Sequence, residues 1–156
     1  MEHFKEIEEF NIKMRRLEKL IFISRFFNNK RLILTCLEEE TLAGKIIIKS
    51  ILKYSHAKNE VTLTSDLGQN IEVLRTKIAK DWDIEAPVID ILDIIKINRK
   101  HKESPTEFMR KGKIIILDEE QNIEKIDHGR LKKTFDSIKI IKERFNSIIN
   151  SKVNKN

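Results

Sequence analysis

The 156-residue chain has one cysteine, two prolines, four glycines, one tryptophan and one tyrosine. Each scarcity excludes something. A single thiol, Cys36, cannot close an internal disulfide, so a disulfide scaffold is ruled out. So few glycines and prolines exclude collagen-like and elastic chains, and argue against an all-β fold of many tight turns. No apolar run approaches the ~20 residues that a membrane span requires, and Ile46-Ile47-Ile48 is among the longest. Aromatics make up only 6% of the chain, too few for the interleaved stacking platforms that bind single strands.

What is present is 40% hydrophobic and 36% charged, with Lys+Arg 31 against Asp+Glu 25 and a net charge of +6. That apolar share supports a real core and argues against intrinsic disorder. The length favours a single domain over residues 1–156, with a polar tail from about residue 151. The opening Met1-Glu2-His3-Phe4-Lys5-Glu6 is acidic and amphipathic, so no secretory signal is expected. Cys36 lies in the apolar run Leu32-Ile33-Leu34-Thr35-Cys36-Leu37, which predicts a buried core thiol in a reducing, cytoplasmic setting.

Helical periodicity dominates. Phe4, Ile7, Phe10, Met14, Leu17 and Ile21 recur at steps of three and four, predicting an amphipathic helix from about His3 to Phe27. Asn28-Asn29 marks a break, after which a second helix starts at Arg31 or near Glu38 and runs to about Lys58, with Gly44 on its apolar stripe as a close helix contact. Asp66 and Gln69 read as a capping box ahead of a third helix carrying Leu67, Ile71, Leu74, Ile78 and Trp82. Pro87 opens a fourth, very apolar helix to about Lys100, expected to sit centrally. Ser104-Pro105-Thr106-Glu107 announces a short helix to about Lys111, stopped by Gly112. Lys113–Leu117 and Ile123–Ile126 flank a five-residue polar turn and predict a β-hairpin, packed on the helices or paired across a dimer. Asp127 caps the last helix, whose buried side carries Leu131, Phe135, Ile138, Phe145 and Ile149. The fold class is mainly all-α: an up-and-down bundle of four main helices plus a short helix, with a small β-hairpin before the last helix.

The positive charge is unevenly spread. Residues 1–95 are near neutral, whereas 96–113 hold seven cations against two acids. The hairpin segment 114–127 holds one against five, and 128–156 holds eight against two. Clustered Lys and Arg neutralise phosphates, so Lys100, Lys102, Arg110, Lys111, Arg130, Lys132 and Lys133 are nucleic-acid-binding candidates. No Gly-rich phosphate loop, dinucleotide fingerprint, zinc spacing, nucleophile elbow or Glu-x-x-His unit occurs, so neither metal nor cofactor is expected. Of the four histidines, His3, His56, His101 and His128, it is His101 that follows the basic run Lys96-Ile97-Asn98-Arg99-Lys100. A histidine among cations leans to the neutral form, which suits a general base.

The stretch Ile91–Phe108, ILDIIKINRKHKESPTEF, resembles the HEPN superfamily (higher eukaryotes and prokaryotes nucleotide-binding), bundles whose apolar late helix ends in a basic segment and a His. The family motif is Arg, four to six residues, then His. Here Lys96 holds the Arg position ahead of His101, and no Arg–His pair in the chain meets the spacing. The resemblance implies an intracellular homodimer acting on RNA, a metal-independent endoribonuclease of toxin–antitoxin or phage-defence type, with an antitoxin-like protein as a further partner. On that reading His101 is the base, Lys96 and Arg99 hold the scissile phosphate, and Asn98 orients it. The competing reading is a non-enzymatic interaction or assembly protein using the hairpin and an apolar helix face.

Overall fold

The structure is a computed structural model that describes the backbone of residues 2–104 and 106–153, with side chains from residue 6 to residue 151 within that span. The expected roles of the His3 and Phe4 side chains, of Pro105 at a first helical position and of the tail beyond Val153 lie outside the described residues. In chain order the elements are α1 (Glu2–Ser24), α2 (Lys30–Ala57), α3 (Leu67–Val73), a π-helical turn (Leu74–Ile78), α4 (Ala79–Asp81), α5 (Glu85–Glu103), β1 (Thr106–Arg110), β2 (Lys113–Leu117), β3 (Ile123–Ile126) and α6 (His128–Val153). The molecule is mainly α, with a small antiparallel sheet before the last helix, as the sequence pattern predicts.

The α1 stripe buries Phe10, Met14, Leu17 and Ile21, while Ile7 stays exposed. The break falls at Asn29, whose side chain accepts from the Leu32 N–H and starts α2 at Lys30, ahead of both starts the sequence offered. Asp66 caps α3 as its sequence signature predicts, accepting from the Gln69 N–H at 3.1 Å, although Leu67 is exposed. The third helix is interrupted by the π turn, which brings Leu74 and Ile78 inward and delivers Trp82 to an aromatic cluster with Tyr54 and Phe145.

The central helix is α2, which buries more of its residues than α5. It packs against α1, α5 and α6, and its buried positions include Ile33, Cys36, Leu37, Glu40, Gly44, Ile47 and Ile51. Helices on several sides of α2 demand burial around much of its circumference. As its sequence predicts, α5 also touches several neighbours, α2, α6, α4 and the π turn, but it leaves Ile89 exposed. Cys36 is fully buried, as its apolar setting predicts, and burial above all pushes its thiol up to about 12.

The short helix expected at 104–111 is instead β1, so the hairpin becomes a three-stranded sheet in the order β1-β2-β3. Two local features explain the change. Thr106–Arg110 alternates exposed and half-buried positions, the period of a strand. Lys111 and Gly112 both have positive φ, 50° and 75°, and join Arg110 to its partner Lys113 as a two-residue hairpin turn. Gly112 is therefore a turn residue, not a helix stop. Nor does Ser104 cap a helix: its hydroxyl donates to the Leu117 carbonyl on β2. The β2–β3 loop is the predicted five-residue turn, held by the Asp118 carboxylate accepting from the Glu120 and Asn122 N–H groups. Ile114, Ile116 and Ile126 put one face of the sheet into the helical core. Asp127 caps α6 through the Arg130 N–H at 2.9 Å.

One core position carries a stability cost. Glu40 is fully buried on α2, and neither carboxylate oxygen has a hydrogen-bond partner among the described residues. Burial holds its carboxyl well above the ordinary range. The folded state keeps this proton while the unfolded chain releases it above about pH 4.5, so stability falls as pH rises past that point. We expect Glu40→Met to raise stability at pH 7.5 by roughly 1–3 kcal/mol, several degrees of melting temperature, with a smaller gain at pH 5. Calorimetric scans at both pH values check this, and equal or opposite changes at the two would contradict it.

Candidate functional site

The carboxyl end of α5 presents chemistry on two faces, because residues separated by 100° of helical rotation cannot all point one way. Asn98, His101 and Lys102 face the amino end of α2 and, with Lys30, Arg31 and Thr35, line a groove of about 480 Å³. Lys96, Arg99 and Lys100 line a different groove, of about 530 Å³, walled by the acidic β2–β3 turn. Lys96 lies about 140° and Arg99 about 160° around the helix from His101. Within one chain, the expected phosphate holders therefore stand apart from the expected base, while Asn98 joins it.

His101 sits on the last turn of α5 itself rather than in a loop beyond it, because the helix continues to Glu103. Its Nδ1 meets the carboxylate of Glu107 on β1. Lys30 Nζ, from the first turn of α2, lies 2.9 Å from the other Glu107 oxygen. Burial pushes the Glu107 carboxyl up, but hydrogen bonds from Lys30 and His101 outweigh it and leave it below its ordinary range. Glu107 is thus an anion at neutral pH. A carboxylate accepts only, so Nδ1 is the donor in this contact and Nε2 is the ring nitrogen that Glu107 does not engage. Beside it Asn98 is nearly buried, and its Oδ1 has no hydrogen-bond donor among the described residues. Lys102 on the rim lies 3.8 Å from Glu38, and Arg31 makes no ion pair among the described residues.

Glu107 and Lys30 were not picked out from the sequence. Glu107 falls in a capping-box pattern for a helix that does not form, and Thr106–Arg110 shows no polar–apolar alternation that would mark a strand; the alternation is one of burial, set by pairing with β2. Lys30 carries no local mark, since only the packing of α2 on α5 brings it near.

The charge segregation along the chain is largely undone by folding. Lys100 pairs with Glu124 at 3.0 Å and Asp118 at 3.5 Å, and the Glu124 hydrogen bond raises its ammonium above the ordinary range. Arg130 pairs with Glu124, and Lys113 with Asp127, so the acidic segment faces both basic ones. Lys132 pairs with Asp136 one turn along α6, and Lys133 with Asp90 on α5. Of the seven binding candidates, Arg110 and Lys111 make no ion pair among the described residues, and both are exposed at the β1–β2 turn.

Among the described residues, no three His, Cys, Asp or Glu gather into a group that holds a metal ion. No helix among them is long and apolar enough to cross a membrane. In comparisons with known proteins, no family model matches the chain, and no curated protein or solved structure matches it significantly. Fold and groove together define a mainly α bundle with a histidine–carboxylate pair beside a cationic groove.

Proposed function

We propose that the protein binds RNA in the groove between α2 and α5 and cleaves it without a metal ion, with His101 as the general base. The observation that carries this reading is the His101–Glu107 pair at a groove lined by Lys30, Arg31 and Lys102. Glu107 fixes the ring tautomer, so Nε2 accepts the proton of a ribose 2′-hydroxyl. The 2′-oxygen then bonds to phosphorus and the bond from phosphorus to the 5′-oxygen breaks. The leaving 5′-oxygen takes a proton from water, and the resulting hydroxide is neutralised by the proton His101 removed, giving a 2′,3′-cyclic phosphate and a 5′-hydroxyl. Arg31 and Lys102 bear the negative charge that grows on the phosphate oxygens. The HEPN likeness adds a biological setting, a toxin–antitoxin or phage-defence system.

Affinity variants on the two faces of α5 test the reading. Arg31→Ala with Lys102→Ala is expected to weaken single-stranded RNA binding about tenfold and to flatten its salt dependence by roughly one phosphate contact or more. Lys96→Ala with Arg99→Ala, on the other face, is expected to change affinity less than threefold. Binding measured from 50 to 200 mM salt decides, and the reverse ranking or an absence of binding overturns the assignment. A second reading, a non-enzymatic assembly module, is favoured by the exposed aromatic face at the end of α1.

A further inference from the structure

Aromatic side chains are few in this chain, yet folding gathers three of them at one exposed corner. Phe22, Phe26 and Phe27, where α1 gives way to α2, are 63%, 64% and 62% exposed. Phe22 and Phe26 pack edge to face with centroids 5.3 Å apart, so one ring braces the other. Phe26 and Phe27 wall a groove of about 560 Å³ that adjoins the His101 groove, because Asn29, Arg31 and Thr35 line both. Taking the RNA reading of the His101 groove as its basis, we infer that this corner is a stacking subsite. Unpaired nucleotides next to the cleaved position lay their bases on Phe26 and Phe27.

Charge selects a nucleic acid strand over an apolar partner. Residues 19–37 contain Lys19, Arg25, Lys30 and Arg31 and no acid. Among the described residues only Lys30 of these four makes an ion pair, with Glu107. An uncharged apolar surface docked on the rings would leave the other three cations uncompensated. A strand brings one phosphate with every base, so rings and cations find partners on the same molecule.

Position points the same way. Arg31 stands at the boundary of the two grooves, where a backbone running from His101 to the aromatic corner must pass. The rings themselves carry no polar group that a partner has to satisfy, and every base has a face to lay on them. Binding at the corner is therefore tolerant of sequence. It does select against duplex RNA, whose bases are already stacked within the helix and cannot reach a side-chain ring. The substrate class is thus single-stranded RNA, with loops and unpaired ends included.

Fluorescence anisotropy with a 2′-O-methyl oligonucleotide of eight residues tests the inference, since this strand lacks the attacking hydroxyl and stays intact. Phe26→Leu with Phe27→Leu is expected to weaken its binding about tenfold or more, the effect of two lost base–ring contacts. Leucine keeps both side chains apolar, so the loss reports the rings. Phe26→Trp should bind at least as tightly as the parent, and Leu67→Ala, at an exposed position on α3, should match it. All three phenylalanines are exposed, so helical content should stay at the parent level in every variant. A duplex of the same length should bind more weakly than the single strand and respond little to the leucine pair. Full affinity in the leucine pair, while Arg31→Ala with Lys102→Ala binds weakly, overturns the stacking subsite and leaves the RNA groove standing. A parent that binds no strand overturns both. A leucine pair that keeps its RNA affinity but dissolves a dimer seen by sedimentation assigns the corner to a second copy, and so overturns the inference as well.

Discussion

Gly44→Val is expected to lower the stability of the chain by at least ~3 kcal/mol, or roughly 6–12 °C in melting temperature. Two effects oppose each other at this position. Glycine inside a helix is worse than alanine by about 1 kcal/mol, so propensity alone favours any substitution that restores a Cβ. Packing decides the sign. A Cβ on Gly44 would lie 2.6 Å from Ile91 Cγ2, and Ile91 is fully buried on α5. Neither side chain can move into solvent, so α2 and α5 must separate. Alanine at position 44 already meets this contact, and valine adds two methyl groups to it. The clash is specific to one methyl of Ile91, which gives a second readout. Denaturant titration of Gly44→Ala, Ile91→Ala and the double variant should show a coupling of about 1 kcal/mol or more, since the double variant removes the atom that clashes. Additive effects would mean that the two helices do not touch there.

The same contact was legible before any coordinates, because Gly44 falls on the apolar stripe of α2. Most of the bundle was legible in this way. The steps through Phe10, Met14, Leu17 and Ile21, the Asp66 cap, the Asp127 cap and the five-residue turn after Leu117 are all encoded within a few residues of where they act. The errors are also local in origin. Ser104-Pro105-Thr106-Glu107 satisfies the pattern of a helix start, and only pairing with β2 over Thr106–Arg110 turns it into a strand. A capping signature states what a helix would need at that point; it does not state whether a sheet competes for the same backbone. The sequence ends α5 at about Lys100, because the polar run from Lys102 onward has the composition of a loop, whereas the helix continues to Glu103. That helix extension separates Lys96 and Arg99 from His101, which the linear spacing had put together. Glu40 illustrates a further limit. It is the last of three consecutive glutamates, and nothing in that run marks it as the one enclosed by the neighbours of the central helix.

His101→Ala carries the largest effect expected on function. A positioned general base contributes roughly 10²- to 10⁴-fold, so single-turnover cleavage of RNA should fall at least a hundredfold. Glu107→Gln is expected to act more mildly, since the amide still occupies the site but no longer holds the ring as a charged acceptor. The measurement that bears most directly on the account is product analysis of an RNA oligonucleotide incubated with the parent chain and with His101→Ala, both with excess chelator. A 2′,3′-cyclic phosphate and a 5′-hydroxyl are expected from the parent, undiminished by the chelator, with almost no product from His101→Ala. Cleavage by His101→Ala at the parent rate, or an intact oligonucleotide after incubation with the parent, would contradict it.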